Sequence, residues 1–143
     1  MFMKRLRNQK GAALLEAAIT MPILLLISVG IFEFGRAYQT WQVLTNASRE
    51  GARIAVLEGV TDADVRARVN QYLTIGGLAT QPDSNILVAR DVPLTGASTA
   101  STVGINYPFQ FIVLNPVVRL VAPTDTKTGA PITMQASTLM RNE

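Results

Sequence analysis

Few residues in this chain are equipped for chemistry, and what is missing narrows the choice first. The sequence has no histidine and no cysteine. That removes the commonest zinc ligands, the serine–histidine and cysteine–histidine nucleophile pairs, and any disulfide framework. Serine, aspartate and lysine occur without a G-x-S-x-G or S-x-x-K setting, so no enzyme and no catalytic residue are expected. Asp62 and Asp64 alternate as in half of a calcium loop, but no D-x-D-x-D-G run with a distant glutamate completes it. Capping a helix is the better account of both, and no metal, cofactor or small-molecule substrate is expected. One carboxylate stands out: Glu16, five positions past Gly11 in "QKGAALLE", opens a long apolar run.

That run must position it. Ala12 to Phe32, "AALLEAAITMPILLLISVGIF", holds 21 residues with Glu16 as the single charge. A helix of that length spans about 31 Å, the thickness of a bilayer's hydrocarbon core. A chain of 143 residues offers little protein to surround such a helix on all sides, so a transmembrane span is expected. Pro22 removes the hydrogen bond to the Ala18 carbonyl and predicts a kink or local loosening, tolerated in membranes when neighbouring groups satisfy the freed carbonyl.

Charge sets the orientation. Lys4, Arg5, Arg7 and Lys10 are four of the thirteen basic residues and precede the span. The positive-inside rule then keeps the N-terminus cytoplasmic and exports the residues beyond Phe32. Without the first eleven residues, nine basic side chains face ten acidic ones. The body is nearly neutral, and no nucleic-acid partner is expected despite a sequence pI near 9.7. A secretory signal peptide fits poorly, because the run is long, a carboxylate interrupts it early, and "GRA" at Gly35 to Ala37 is a poor cleavage site.

A basic leader ending in glycine, a small residue, a glutamate five positions past the glycine and then an apolar helix resemble the processing site of type IV prepilins. The resemblance implies cleavage by a membrane-embedded prepilin peptidase between Gly11 and Ala12. It also implies that Glu16 meets the new N-terminal amine of a neighbouring subunit during assembly; pairing with Ala12 of its own helix, four residues back, is the intramolecular alternative. Beyond the span, "IFEFGRAYQTWQVLTNASREGARIAV" resembles the TadE-like proteins, the minor pilins or pseudopilins of tight-adherence (Tad) pili. The matching features are Glu33 to Arg36, Tyr38, and the run from Asn46 to Arg53. "INYPF" at Ile105 to Phe109 and the closing "MRNE" extend the resemblance along the chain.

The residues past the span predict a helix over 33–57. Phe34, Tyr38, Trp41, Leu44, Ser48 and Ala52 recur at three- and four-residue intervals, the pattern of one buried face. Ala47, Gly51 and Ala55 form a stripe of small residues that admits a close backbone, either the chain's own sheet, which is favoured, or another subunit's helix. Glu33 with Arg36, and Glu50 with Arg53, are placed for i, i+3 ion pairs on a solvated face. Gly59 ends that helix, and Thr61 caps a short one over 62–74 closed by Gly76 and Gly77.

The C-terminal region, 84–143, changes to strand periodicity. "SNILVARDV", "STVGINYPFQFIV" and "APITMQASTLMRNE" read as strands bounded by proline, glycine, asparagine and threonine clusters. Pro108 must lie at an edge, a bulge or a break. Residues 115–128 read as a loop, with "VVRLV" at 117–121 as a short helix or apolar contact surface. The expected fold is α+β: a leader (1–11), a transmembrane helix (12–32), and an exported domain (33–143) with a short second helix and a three- to four-stranded antiparallel sheet.

The function expected is that of a minor pilin or pseudopilin in the cytoplasmic membrane, assembled into or priming a Tad-type pilus for adhesion or secretion. The partners implied are the prepilin peptidase, other TadE-like or TadG-like subunits, the short major pilin, and membrane lipid. The added sheet domain sets the chain apart from a major pilin of this system, expected to be little more than the helix. An uncleaved, membrane-anchored envelope binding protein is the alternative.

Overall fold

Residues 9–94, 98–116 and 131–142 are described by a computed structural model. The "VVRLV" stretch and residues 1–8 of the expected leader lie outside them. Helix α1 runs from Gln9 to Ala55 over 47 residues and carries Pro22 inside it; helical geometry continues on both sides of the proline. At 1.5 Å per residue it is about 70 Å long, more than twice what a bilayer core needs. It is the one described helix long and apolar enough to cross a membrane, and the apolar window is wholly unburied. Its lower half is bare, and its upper half carries a domain.

That domain is built from local signals. Helix α2 spans Asp62–Ile75, one residue longer than expected. Thr61 accepts from the Asp64 backbone N–H while the Asp64 carboxylate accepts from the Thr61 N–H and hydroxyl, a reciprocal capping box. Those hydrogen bonds hold the Asp64 carboxyl below its ordinary pKa. Val65, Val69 and Leu73, at four-residue intervals, are the buried face of α2. Gly59, at φ +79°, turns the chain between the helices. The first helix ends at Ala55 rather than at 57, with Leu57 N–H donating to the Ile54 carbonyl in the turn beyond it.

Three strands complete the domain: β1 (Ile86–Pro93), β2 (Thr99–Phe109) and β3 (Ile132–Arg141). They form one antiparallel sheet in the order β1-β2-β3. Pro108 lies in the central strand opposite Thr133, but β1 reaches only as far as Ile105. At the proline β2 therefore has a neighbour on one side, where a missing N–H costs no ladder bond.

One face of the sheet packs on α1 and α2. Leu44, Ala47, Ala52 and Ala55 of α1 meet Val65, Val69 and Leu73 of α2 and Ile86, Val103, Ile105 and Ala136 of the sheet. The Ser48 and Thr138 hydroxyls share a hydrogen bond of 2.8 Å inside this layer. Arg36 lies over Phe109, and Gly51 against Val103, so α1 and β2 run in opposite senses along one another. The small-residue stripe of Ala47, Gly51 and Ala55 thus faces the chain's own core, as favoured.

The predicted buried face of α1 is half right. Leu44, Ser48 and Ala52 are fully buried, but Phe34, Tyr38 and Trp41 are 70%, 62% and 46% exposed. Tyr38 lies about 120° around the helix from Leu44, because the steps from 38 to 41 and from 41 to 44 are both three residues and each falls about 60° short of a full turn. The face that touches the domain runs instead through Glu33, Thr40, Leu44, Ala47, Ser48 and Ala55. The aromatics flank it.

Candidate functional site

Two places along α1 carry the residues singled out by sequence. The first is its lower end. Gly11 and Ala12 lie in the first turn of α1 and are exposed. Glu16, one turn on, is exposed on the bare half of the helix, and its carbonyl accepts from the Thr20 hydroxyl at 2.9 Å. A carboxylate there is costly in hydrocarbon unless another cation reaches it. Pro22 lies six residues further along the same bare stretch.

The second place is the junction where the bare helix meets the domain. Glu33 is 0% exposed. Its carboxylate accepts from the Val113 backbone N–H, in the segment after β2, and from Arg36 Nη1 at 2.8 Å. Arg36 in turn stands over the Phe109 ring at 5.1 Å, and Phe109 meets Phe111 edge to face with centroids 5.3 Å apart. The expected Glu33–Arg36 pair therefore exists but does not belong to a solvated face. The segment after β2 folds down over the carboxylate and removes it from water. An open cleft of about 380 Å³ adjoins it, lined among others by Arg36, Thr40, Leu78, Tyr107 and Ile112.

The other expected pair, Glu50 with Arg53, forms at 2.9 Å and gains a second cation, Arg68 of α2, at 2.8 Å. The hydrogen bonds from Arg53 and Arg68 hold the Glu50 carboxyl down at about 2. An unfolded glutamate titrates near 4.3, so folding at neutral pH is favoured by the depressed value. The contribution is intact above about pH 5 and disappears as pH falls toward 2. With allowance for solvent screening it is worth about 1 kcal/mol. Glu50→Gln should lower thermal stability at pH 7 in detergent and lose that deficit near pH 2; a deficit unchanged across the range would show that the charge is not what matters.

Sequence reading missed Arg90. It lies on the helix-facing side of β1, in phase with Ile86 and Val88, just before a register shift at which Asp91 adopts φ 54°. Its guanidinium donates to Asp62 at 2.7 Å and to the carbonyls of Ala55 and Val60, each at 2.8 Å. It therefore ties the end of α1 to the start of α2. The sole signal was a charged residue at an inward position of a strand. Asp62 is thereby accounted for as an ion-pair partner and Asp64 as a cap, and among the described residues no group of three or more acidic side chains could hold a metal.

Residues 11–53 match the family described as TadE-like protein. The matched segment begins at Gly11, contains Glu16, Glu33, Arg36 and Glu50, and ends at Arg53, two residues before α1 ends. No curated protein and no solved structure matches the chain.

Proposed function

We propose that this chain, TadE-like over residues 11–53, is a minor pilin or pseudopilin of a Tad-type pilus, processed between Gly11 and Ala12 and assembled through α1. The observation that carries the reading is where the family match begins and what it covers. It starts at the glycine of the processing pattern and runs along one continuous helix, bare over its lower half and packed under a small α+β domain over its upper half. A helix bare over that length needs a second environment. Bilayer lipid supplies it before assembly and neighbouring pilin helices supply it afterwards.

In this reading Glu16 has a specific task. Cleavage leaves a positive α-amino group on Ala12, and a neighbouring subunit that presents this amine compensates a carboxylate which hydrocarbon alone disfavours by about 2.5–3.5 kcal/mol at the bilayer centre. The basic residues Lys4 to Lys10 keep the N-terminus cytoplasmic, and the domain is exported. Prepilin peptidase, other Tad pilins and pseudopilins, and lipid are the partners.

The test is the N-terminal sequence and intact mass of the protein from cells with and without their prepilin peptidase. A peptidase-dependent start at Ala12 is expected, and Gly11→Val should abolish it. In the cleaved chain, Glu16→Gln should leave processing intact while removing the subunit from sheared surface pili. A chain that keeps residues 1–11 in both strains overturns the proposal and leaves an uncleaved envelope binding protein.

A further inference from the structure

The segment that closes over Glu33 also marks the level at which the domain ends. Residues 111–114 read Phe-Ile-Val-Leu, an uncharged run, and Ile112 at its tip is 60% exposed. Their height is set by contact with α1, because the Val113 N–H donates to Glu33, one residue past the end of the 12–32 span. Arg36, which holds the same carboxylate and stands over Phe109, is about 4.5 Å further along the helix axis from Glu33. A bilayer's headgroup region extends about 5–7 Å beyond its hydrocarbon core. The run therefore lies within that layer whenever 12–32 spans the core.

Three features of the junction suit lipid. The Glu33 carboxylate, which would repel anionic headgroups, is buried and neutralised by Arg36 and a backbone N–H. Among the described residues, Arg36 keeps a partly accessible guanidinium at this level, which suits a lipid phosphate. Phe32 and Phe34 are exposed on α1 within about 2 Å of this height and add apolar surface there, whereas Tyr38 and Trp41 are exposed about 8 and 12 Å further out. An exposed isoleucine at this level is costly in water and costs nothing in the acyl–headgroup boundary.

We infer that residues 111–114 dip into the outer leaflet, so that the domain is seated on the bilayer at two points, the span and this wedge, rather than swinging on the helix. The inference rests on the membrane-anchored reading of α1, and its test separates the two. The chain has no cysteine, so a single environment-sensitive fluorophore can be placed by Ile112→Cys, by Leu25→Cys in the span, or by Leu57→Cys, an exposed apolar position beyond the far end of α1. Each full-length variant is reconstituted at about one chain per phosphatidylcholine–phosphatidylglycerol vesicle.

The probe at 112 should shift to the blue and be quenched more by shallow than by deep nitroxide lipids. The probe at 25 should show the reverse depth order, and that at 57 should be quenched by aqueous iodide alone. A deep probe at 25 with an iodide-accessible probe at 112 overturns the wedge and leaves the span standing. A probe at 112 shielded from iodide yet untouched by nitroxide lipids also overturns it, because protein rather than lipid then covers the loop. An aqueous probe at 25 overturns the span and the wedge together.

Discussion

Replacing Gly51 with valine should prevent the domain from accumulating in folded form, and Gly51→Ala should weaken it by about 1–2 kcal/mol. Gly51 sits where α1, α2 and β2 converge. A Cβ at this position would lie 2.6 Å from Val69 Cγ2 and 3.1 Å from Val103 Cγ1. Both neighbours are β-branched and fully buried, so neither can swing aside. Overpacking of this kind costs about 1–3 kcal/mol. Alanine recovers up to about 1 kcal/mol of helix propensity, which sets the smaller net effect, whereas valine adds two methyl groups and recovers less.

The measurement is resistance of the full chain to proteolysis and heat in detergent. A double mutant settles the cause: Gly51→Ala with Val69→Ala should be more stable than the sum of the single losses predicts, because each change makes room for the other. Strict additivity would show that the crowding is relieved elsewhere.

Glu33→Leu should lower stability by about 2 kcal/mol, a fall of several degrees in Tm. The substitution keeps the volume but strands the Val113 N–H and one arm of Arg36. An unsatisfied buried donor costs about 1–3 kcal/mol. Breaking one partner of a fully buried pair costs about 3–5 kcal/mol, an upper bound here because the Arg36 side chain is 31% exposed and can turn to water. Arg36→Leu added to Glu33→Leu should recover part of the loss, since the pair is then removed whole. An exposed ion pair would instead give single losses below about 1 kcal/mol, and that result would contradict the burial of Glu33. Residues 111–114 should also become more accessible to protease in Glu33→Leu, because their tie to α1 is lost.

The two effects sit at opposite ends of the packed half of α1. Gly51 sets how closely the helices and sheet approach, and Glu33 sets where the domain stops above the bare helix. Arg90 belongs with them, since it holds the end of α1 to the linker before α2 through two carbonyls and Asp62. None of the three carries chemistry in the catalytic sense. Each holds the domain in one position on a helix whose other half is bare.

What the amino-acid sequence by itself determined is what depends on near neighbours. The apolar run of 12–32 with its single carboxylate, the Thr61–Asp64 capping box, the four-residue spacing of Val65, Val69 and Leu73, and the alternation of the three strands all arise from interactions within a turn or a pleat. The Gly11–Glu16 pattern and the Glu33-to-Arg53 segment were legible for the same reason, as fixed spacings along one helix. Tertiary structure decided the rest. Whether Phe34 or Glu33 faces inward depends on which arc of α1 meets a sheet formed 50 to 100 residues later, and the two arcs are similarly spaced in sequence. The burial of Glu33 required a backbone N–H eighty residues away. The role of Arg90 required carbonyls thirty and thirty-five residues back. A charged side chain reads as exposed until the fold brings it partners, because its own neighbours in sequence do not reveal who will satisfy it.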